Sequence, residues 1–308
     1  VNPATLAVEA LAPWRERFAS AVQELRAPVV VGCSGGADSV ALLALAVDAG
    51  LSPIAVHIDH GLRDGAEHEP ASVAAVAAQL GAGFEARRAP VTTGPNLEAR
   101  ARDRRYDALE RARGEVGAEF VLVGHTADDQ AETVLLNVLR GAAGAGLAGM
   151  SPRRGRIVRP LLGFRRADTR AVCDALRIAV LDDPMNHDVE FRRVAIRREV
   201  LPMLSRLAAR DLVPVLARQA DILRSESGFL DALAAAAWPD DDPPTATALT
   251  ALPPVLARRA VRNWLGFPPP SSAEVDRVLA VAAGEARAVE LAGGRAVRRS
   301  SGRLSITR

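Results

Sequence analysis

Residues 29–40 read Val-Val-Val-Gly-Cys-Ser-Gly-Gly-Ala-Asp-Ser-Val, and they constrain the fold more than any other stretch of the chain. Three valines run into a glycine turn, and a helical apolar pattern begins at Ser39 and closes at Gly50. That order predicts a buried strand, a loop of phosphate size and a helix N-terminus. Gly35 and Gly36 leave room for backbone amides to point inward. The amides and dipole at the start of the next helix favour an anion there. Ser34 and Ser39 add hydroxyls, and Asp38 supplies a carboxylate suited to a metal. The Gly-Lys-Ser/Thr ending of a Walker A loop is absent.

The same alternation continues through the first two-thirds of the chain. Strands are expected at 29–33, 54–58, 84–88 and 120–124, with helices at 39–48, 67–80, 97–113 and 129–139. This predicts an α/β fold with a doubly wound, mostly parallel sheet covered on both faces. Ligands of such sheets sit beyond the carboxyl ends of the strands, where strand order reverses. The loops there hold residues 34–39, 59–63 and 125–129. Beyond about residue 206 the pattern turns helical, at 207–237, 252–267 and 274–283. An acidic, proline-rich break at 240–244 interrupts it, and a weakly alternating end at 288–308 suits short strands. The expected division is an α/β domain at 1–206 and a smaller, mostly helical domain at 207–308.

Composition narrows the function classes. With 49% hydrophobic and 25% charged residues, the chain reads as an ordinary soluble globular protein. No apolar run approaches about 20 residues, so no membrane span is expected. The opening residues lack the basic-then-apolar order of a signal peptide. Cys33 and Cys173 are far apart, which argues against a disulfide or a cysteine metal cluster and fits a reducing cytoplasm. All 39 basic residues are arginine, so every side-chain cation offered to a phosphate is a guanidinium fork. A net charge of +2 excludes a uniformly basic nucleic-acid binder. Arginines nevertheless crowd 100–113, 153–170, 192–198 and 295–308, which points to a polyanionic second substrate.

Three further motifs carry candidate chemistry. Residues 57–63, His-Ile-Asp-His-Gly-Leu-Arg, end the second strand; without a third ligand at metal spacing, turn and packing roles are expected. Residues 96–102, Asn-Leu-Glu-Ala-Arg-Ala-Arg, open a helix on which Glu98 and Arg102 share a face. An exposed pair there contributes only about 0.3–0.5 kcal/mol. Residues 124–133, Gly-His-Thr-Ala-Asp-Asp-Gln-Ala-Glu-Thr, put Asp129 and Glu132 on one face of a helix start. Capping by Thr126 or Asp128 accounts for one acid. Three acids beside a phosphate loop suit binding of a cation or removal of a proton from an amine.

As a set these stretches resemble the tRNA(Ile)-lysidine synthetases, a family of PP-loop ATP pyrophosphatases. The resemblance extends through Arg140-Gly141 and residues 146–150, 159–162, 183–186 and 191–202. It implies a Rossmann-like PP-loop fold, ATP and Mg²⁺ as cofactors, and free L-lysine and tRNA(Ile) with anticodon CAU as partners. It also implies a homodimer. The implied reaction adenylates the wobble cytidine, releasing pyrophosphate, and lysine then displaces AMP to give lysidine.

Residue by residue, Ser34, Gly35, Gly36, Ala37, Asp38 and Ser39 correspond to the pyrophosphate loop, with Asp38 near Mg²⁺, and Gly124 and His125 complete the ATP site. Arg102 matches the arginine of Glu-x-x-Ala-Arg, and Asp129 and Glu132 match Asp-Asp-Gln-x-Glu-Thr. Arg197 matches the last arginine of Arg-Asn-x-Ile-Arg. The resemblance gives Asp38, Arg102 and Asp129 catalytic roles, and gives Glu132 and Arg197 contacts to lysine or tRNA. Val194 departs from the pattern, standing where the family has Asn, and Thr126 replaces a common second histidine. Residues 1–206 then form the ATP-binding catalytic domain and 207–308 a single domain for tRNA recognition, where longer members carry a further one.

Rival readings make distinct demands. A tRNA 2-thiocytidine synthase calls for paired cysteines. An amidating PP-loop enzyme such as NAD or GMP synthetase calls for an amide source and leaves the arginine clusters surplus. A non-catalytic RNA-binding module needs neither an intact loop nor its acids.

Overall fold

The computed structural model describes residues 9–61, 68–92, 94, 97–181, 192–238, 245–266 and 268–307. Sequence features at 62–63, 96, 183–186, 191, 240–244, 267 and 308, and the Glu98 side chain, lie outside the described residues. The chain divides into two compact units, Val1–Ala220 and Asp221–Arg308.

The first unit is built on a six-stranded sheet of order β3-β2-β1-β4-β6-β5. Its strands are β1 (Val29–Gly32), β2 (Pro53–Asp59), β3 (Gly83–Arg88), β4 (Val121–Val123), β5 (Arg153–Arg154) and β6 (Ile157–Val158). All pairings are parallel except that of β5 with β6. Val31 lies opposite both Ala55 and Leu122, so β1 is the central strand, and its three valines are fully buried. Val29 and Val31 face one apolar cluster and Val30 the other, as alternation on a sheet covered twice requires.

Helices α1 (Ala12–Val22), α2 (Ala37–Asp48), α3 (Glu69–Leu80), α4 (Leu97–Glu115), α5 (Ala127–Leu139), α6 (Gly144–Leu147) and α7 (Arg166–Ala175) surround the sheet. The segment Arg192–Ala195 (α8) continues through a π turn, Ile196–Val200, into α9 (Leu201–Leu207). Strand order reverses between β1 and β4, so the ligand crevice of this topology opens above α2 and α5.

The short strands β5 and β6 were not expected from sequence, and two helices also depart from that reading. The helix expected from residue 207 begins at α10 (Val213–Ala237), because Ala209 takes a left-handed φ of 50° and the Asp211 carboxylate accepts from the Val213 amide. Helix α7 was hidden inside an arginine cluster; the amide of Arg165 donates to Asp168 at 2.9 Å, and Thr169, Val172 and Cys173 form its buried face.

The second unit holds part of α10, then α11 (Ala246–Thr250), α12 (Pro254–Leu265) and α13 (Ser272–Ala283). The weakly alternating end folds as an antiparallel sheet of β7 (Ala288–Glu290), β8 (Ala296–Ser300) and β9 (Arg303–Thr307). Leu249, Val261, Val278, Val281, Val297 and Leu304 fill its core. No helix among the described residues is long and apolar enough to cross a membrane.

Candidate active site

The loop after β1 is shaped by its own hydroxyls. Ser39 Oγ donates to the Gly36 carbonyl at 2.9 Å and accepts from the Ser34 amide at 3.2 Å. Gly35 sits at φ 84°, where a Cβ would lie 2.5 Å from Leu181 Cδ1. The Ser39 and Val40 amides turn back to the Gly36 carbonyl at 3.1 and 3.0 Å, and the positive end of the α2 dipole leaves the loop mouth electropositive. His57 Nδ1 donates to the Cys33 carbonyl at 3.1 Å, and His60 Nδ1 to the Ala89 carbonyl at 3.0 Å. Both histidines of this motif are thus tied to backbone carbonyls at the strand ends.

Gly124 is fixed by close approach. A Cβ there would lie 2.9 Å from the Asp38 carbonyl oxygen and 3.2 Å from the Ser39 amide. Gly124→Ala must push the end of β4 away from the start of α2. We expect a loss of about 1–3 kcal/mol in stability, read by thermal unfolding, and weakened ATP binding in the same variant.

The acids gather around α5. Thr126 caps the helix, its hydroxyl accepting from the Asp129 amide at 3.4 Å, and its own amide and hydroxyl donate to Asp129 Oδ2 at 2.8 and 2.9 Å. The other oxygen, Oδ1, accepts from Arg166 Nη2 at 2.8 Å. Glu132 Oε1 accepts from Arg197 Nε at 2.7 Å and from Arg166 Nη1 at 3.3 Å, and the side chain is 1% exposed. Arg166 Nε also lies 3.7 Å from Asp38 Oδ2, while Thr169 Oγ1 donates to Asp38 Oδ1. Asp128 accepts from the Arg166 amide at 2.9 Å and pairs with Arg165, which also holds Asp211. Capping and clustering thus coexist: one oxygen of Asp129 caps, and the other joins the ionic network. Three carboxylates, Asp38, Asp129 and Glu132, meet two guanidiniums, Arg166 and Arg197. A cleft of about 190 Å³ borders this network, lined in part by Glu132, Arg166, Arg197 and Ser205.

Electrostatics separate the members. Burial raises the Asp38 carboxyl above its usual range, against the Thr169 hydrogen bond and with help from the charge of Asp129. Asp129 is also buried, yet Arg166 and the Thr126 bonds hold its carboxyl below the usual range. Burial pushes His125 down to about 3, and Arg102, Arg159 and Arg193 push the same way. His125 is therefore neutral at physiological pH. Arg102, whose charge also disfavours the protonated His125, donates to the Tyr106 hydroxyl at 3.2 Å.

Two family models match the chain: the PP-loop domain over residues 13–204 and the TilS substrate binding domain over 246–305. The tRNA(Ile)-lysidine synthase of Rhodococcus opacus (strain B4) is 40% identical over 293 residues, covering 90% of this chain and 89% of that protein. The chain belongs to the tRNA(Ile)-lysidine synthase family. The synthase of Nocardia farcinica (strain IFM 10152) is 43% identical over 241 residues, covering 77% of this chain and 75% of that protein. Among solved structures, the U34-tRNA thiolase NcsA from Methanococcus maripaludis aligns with a TM-score of 0.59 at 17% identity, over 70% of this chain and 80% of that one. That likeness speaks to the fold alone.

Within this lysidine synthase site, sequence reasoning missed Arg166 and Thr169. Both lie on α7, and both reach Asp38. The available signal was Asp168 three residues after Arg165, a helix-start spacing, with Thr169, Val172 and Cys173 as an apolar stripe behind it. Arg159 entered the sequence reading as one of an arginine cluster and as the start of the 159–162 stretch, with no role assigned; the structure buries it.

Proposed function

We propose that this protein joins the ε-amine of free L-lysine to C2 of the wobble cytidine of tRNA(Ile) with anticodon CAU, in the cytoplasm. The cytosine O2 attacks the α-phosphate of ATP, and pyrophosphate leaves. The lysine nitrogen then attacks C2, the C2–O bond breaks, and AMP departs with the electron pair. The observation that carries this reading is the convergence on Arg166: one guanidinium reaches the loop acid Asp38 and the helix acids Asp129 and Glu132. An anion cradle and a cation-binding acid cluster thus share one point, where a nucleotide and an ammonium would meet.

Ser34 to Ser39 and the start of α2 would hold the pyrophosphate, with Gly124 and His125 forming the adjoining wall. Asp38 fits an Mg²⁺ site of the kind completed by phosphate oxygens, since Mg²⁺ takes one or two carboxylates and keeps the rest of its shell for phosphate and water. Among the described residues no three His, Cys, Asp or Glu side chains gather as a self-sufficient metal site. When bound, Mg²⁺ supplies neutralisation of charge on the pyrophosphate. Arg102 would stabilise charge at the α-phosphate. Asp129 and Glu132 would draw the lysine ammonium and take its proton, once Arg166 yields its place. Arg197 is already bidentate on Glu132, which favours a positioning role over contact with the lysine carboxylate.

Incubation with ATP, labelled lysine and candidate tRNAs, followed by nucleoside analysis, tests the reading. Lysine label in the wobble cytidine and stoichiometric AMP are expected; neither would appear with a mere RNA-binding module. The second unit is read as the tRNA-recognition part, and the arginine clusters as phosphate contacts. If so, tRNA affinity should fall with salt at a log–log slope of about −0.7 to −0.9 per phosphate contacted, and a flat dependence would remove the clusters from recognition. A homodimer belongs to the same proposal, and sedimentation at assay concentration decides it.

A further inference from the structure

Arg159 follows β6 and is 6% exposed. Its Nη1 donates to the Ser151 carbonyl at 2.8 Å, its guanidinium also bonds the Tyr106 hydroxyl, and its Nε is buried with no partner. That same hydroxyl accepts from Arg102 Nη2 at 3.2 Å, and the Arg102 guanidinium carbon lies 5.1 Å from the Tyr106 ring centre. One phenol therefore joins two guanidiniums. Among the described residues neither arginine forms an ion pair with a carboxylate, whereas Arg166 and Arg197 are both paired.

This is an unstable arrangement by itself. Burial holds Arg159 below its usual range; Tyr106 offsets part of that cost, and the Arg102 and Arg154 charges add smaller repulsions. Buried charges are normally paired, and an orphaned buried donor normally has a partner. His125 borders the group, and its buried Nδ1 also lacks a partner. Two guanidinium forks present the geometry that phosphate oxygens accept bidentately.

We propose that Arg159 and Arg102, joined through Tyr106, form a phosphate-binding subsite at the end of β6. The phosphate is that of a nucleotide, from either of two sources: the α-phosphate of ATP, or the phosphodiester of the tRNA nucleotide brought to the site. The inference rests on the function proposed above, because both sources are substrates of that reaction. The buried, neutral His125 feels the charges of both this basic group and Asp129, so the subsite and the acid network share one neighbouring imidazole.

The test uses the full chain with Arg159→Gln and Arg159→Lys, titrated with AMP and, separately, with tRNA at several salt concentrations. If the phosphate is the nucleotide's, AMP affinity falls at least about tenfold and the tRNA salt slope is unchanged. If it is the tRNA's, the slope shrinks by about 0.7–0.9 and AMP affinity is unchanged. Either result supports the subsite. Unchanged AMP and tRNA binding in a folded variant overturns it, as does a loss confined to lysine binding, which would assign the group to a carboxylate. Should Arg159→Gln fail to fold, Arg159→Lys decides, because lysine keeps the charge without the fork. Wild-type AMP and tRNA binding in both Arg159→Lys and Tyr106→Phe would then refute the proposal. Lysidine formation by the unaltered chain is scored separately, so a failure of the function and a failure of the subsite are told apart.

Discussion

Asp38→Asn is expected to stop AMP release while leaving the protein folded and no less stable at neutral pH. Asp38 has one oxygen bonded by Thr169 and the other 3.7 Å from Arg166, so it is the least tightly paired acid of the network. Burial raises its pKa above the unfolded value. A group shifted in that direction contributes stability below its unfolded pKa, about 3.9, and loses it as pH rises through the folded value. At pH 7 its ionised form therefore opposes folding, and a neutral amide removes that burden. The amide oxygen still accepts from Thr169. What it loses is the charge that would hold Mg²⁺ against the pyrophosphate. A bound metal contributes several kcal/mol to a phosphoryl transition state, and each 1.36 kcal/mol is tenfold, so turnover should fall by about a thousandfold or more. The measurement is AMP release at saturating ATP, beside thermal unfolding at pH 7. Near-normal turnover would remove Asp38 from the chemistry, and a large drop in Tm would mark it as structural.

The parts of this molecule that were legible in sequence are those set by local pattern. The β1 loop announces itself because a strand, two glycines and a helix start occur within a dozen residues. Asp129 and Glu132 were placed on one helical face by spacing alone, and Arg166 Nη2 touches both. Which charge occupies that face was not legible. The partners Arg166 and Arg197 are 37 and 65 residues away from Asp129 and Glu132 respectively, and no periodicity links them. Helix α7 escaped for a related reason: Arg165, Arg166 and Arg170 read as a solvated charge run, and only the fold shows Thr169 turned inward to Asp38. The start of α10 was misplaced because apolar spacing continues from Leu207 through the turn at Ala209, and a left-handed alanine has no sequence signature. The π turn at Ile196–Val200, which carries Arg197, is equally silent in sequence.

The acid that holds this network should give the largest stability effect. Glu132→Gln leaves Arg197 and Arg166 facing a neutral amide in a place that is almost fully buried. Removing one partner of a buried pair costs about 3–5 kcal/mol, because the other charge stays behind unpaired. At roughly 2–4 °C per kcal/mol for a domain of this size, Tm should fall by about 6–20 °C. Lysine use should suffer as well: a charge-assisted contact contributes about 1.5–3 kcal/mol, so the lysine requirement should rise about tenfold or more. These two effects have different origins and can be separated. Adding Arg197→Met to Glu132→Gln removes most of the orphaned charge, and well-packed apolar replacements of buried ion pairs are often neutral. The double variant should therefore regain much of the lost Tm while its lysine requirement stays high. Lysine titration at saturating ATP and tRNA, with unfolding curves on the same samples, reads both quantities. Recovery of stability together with wild-type lysine dependence would mean that Glu132 only seats Arg197, and that the ammonium is received by Asp129 or Asp38 instead.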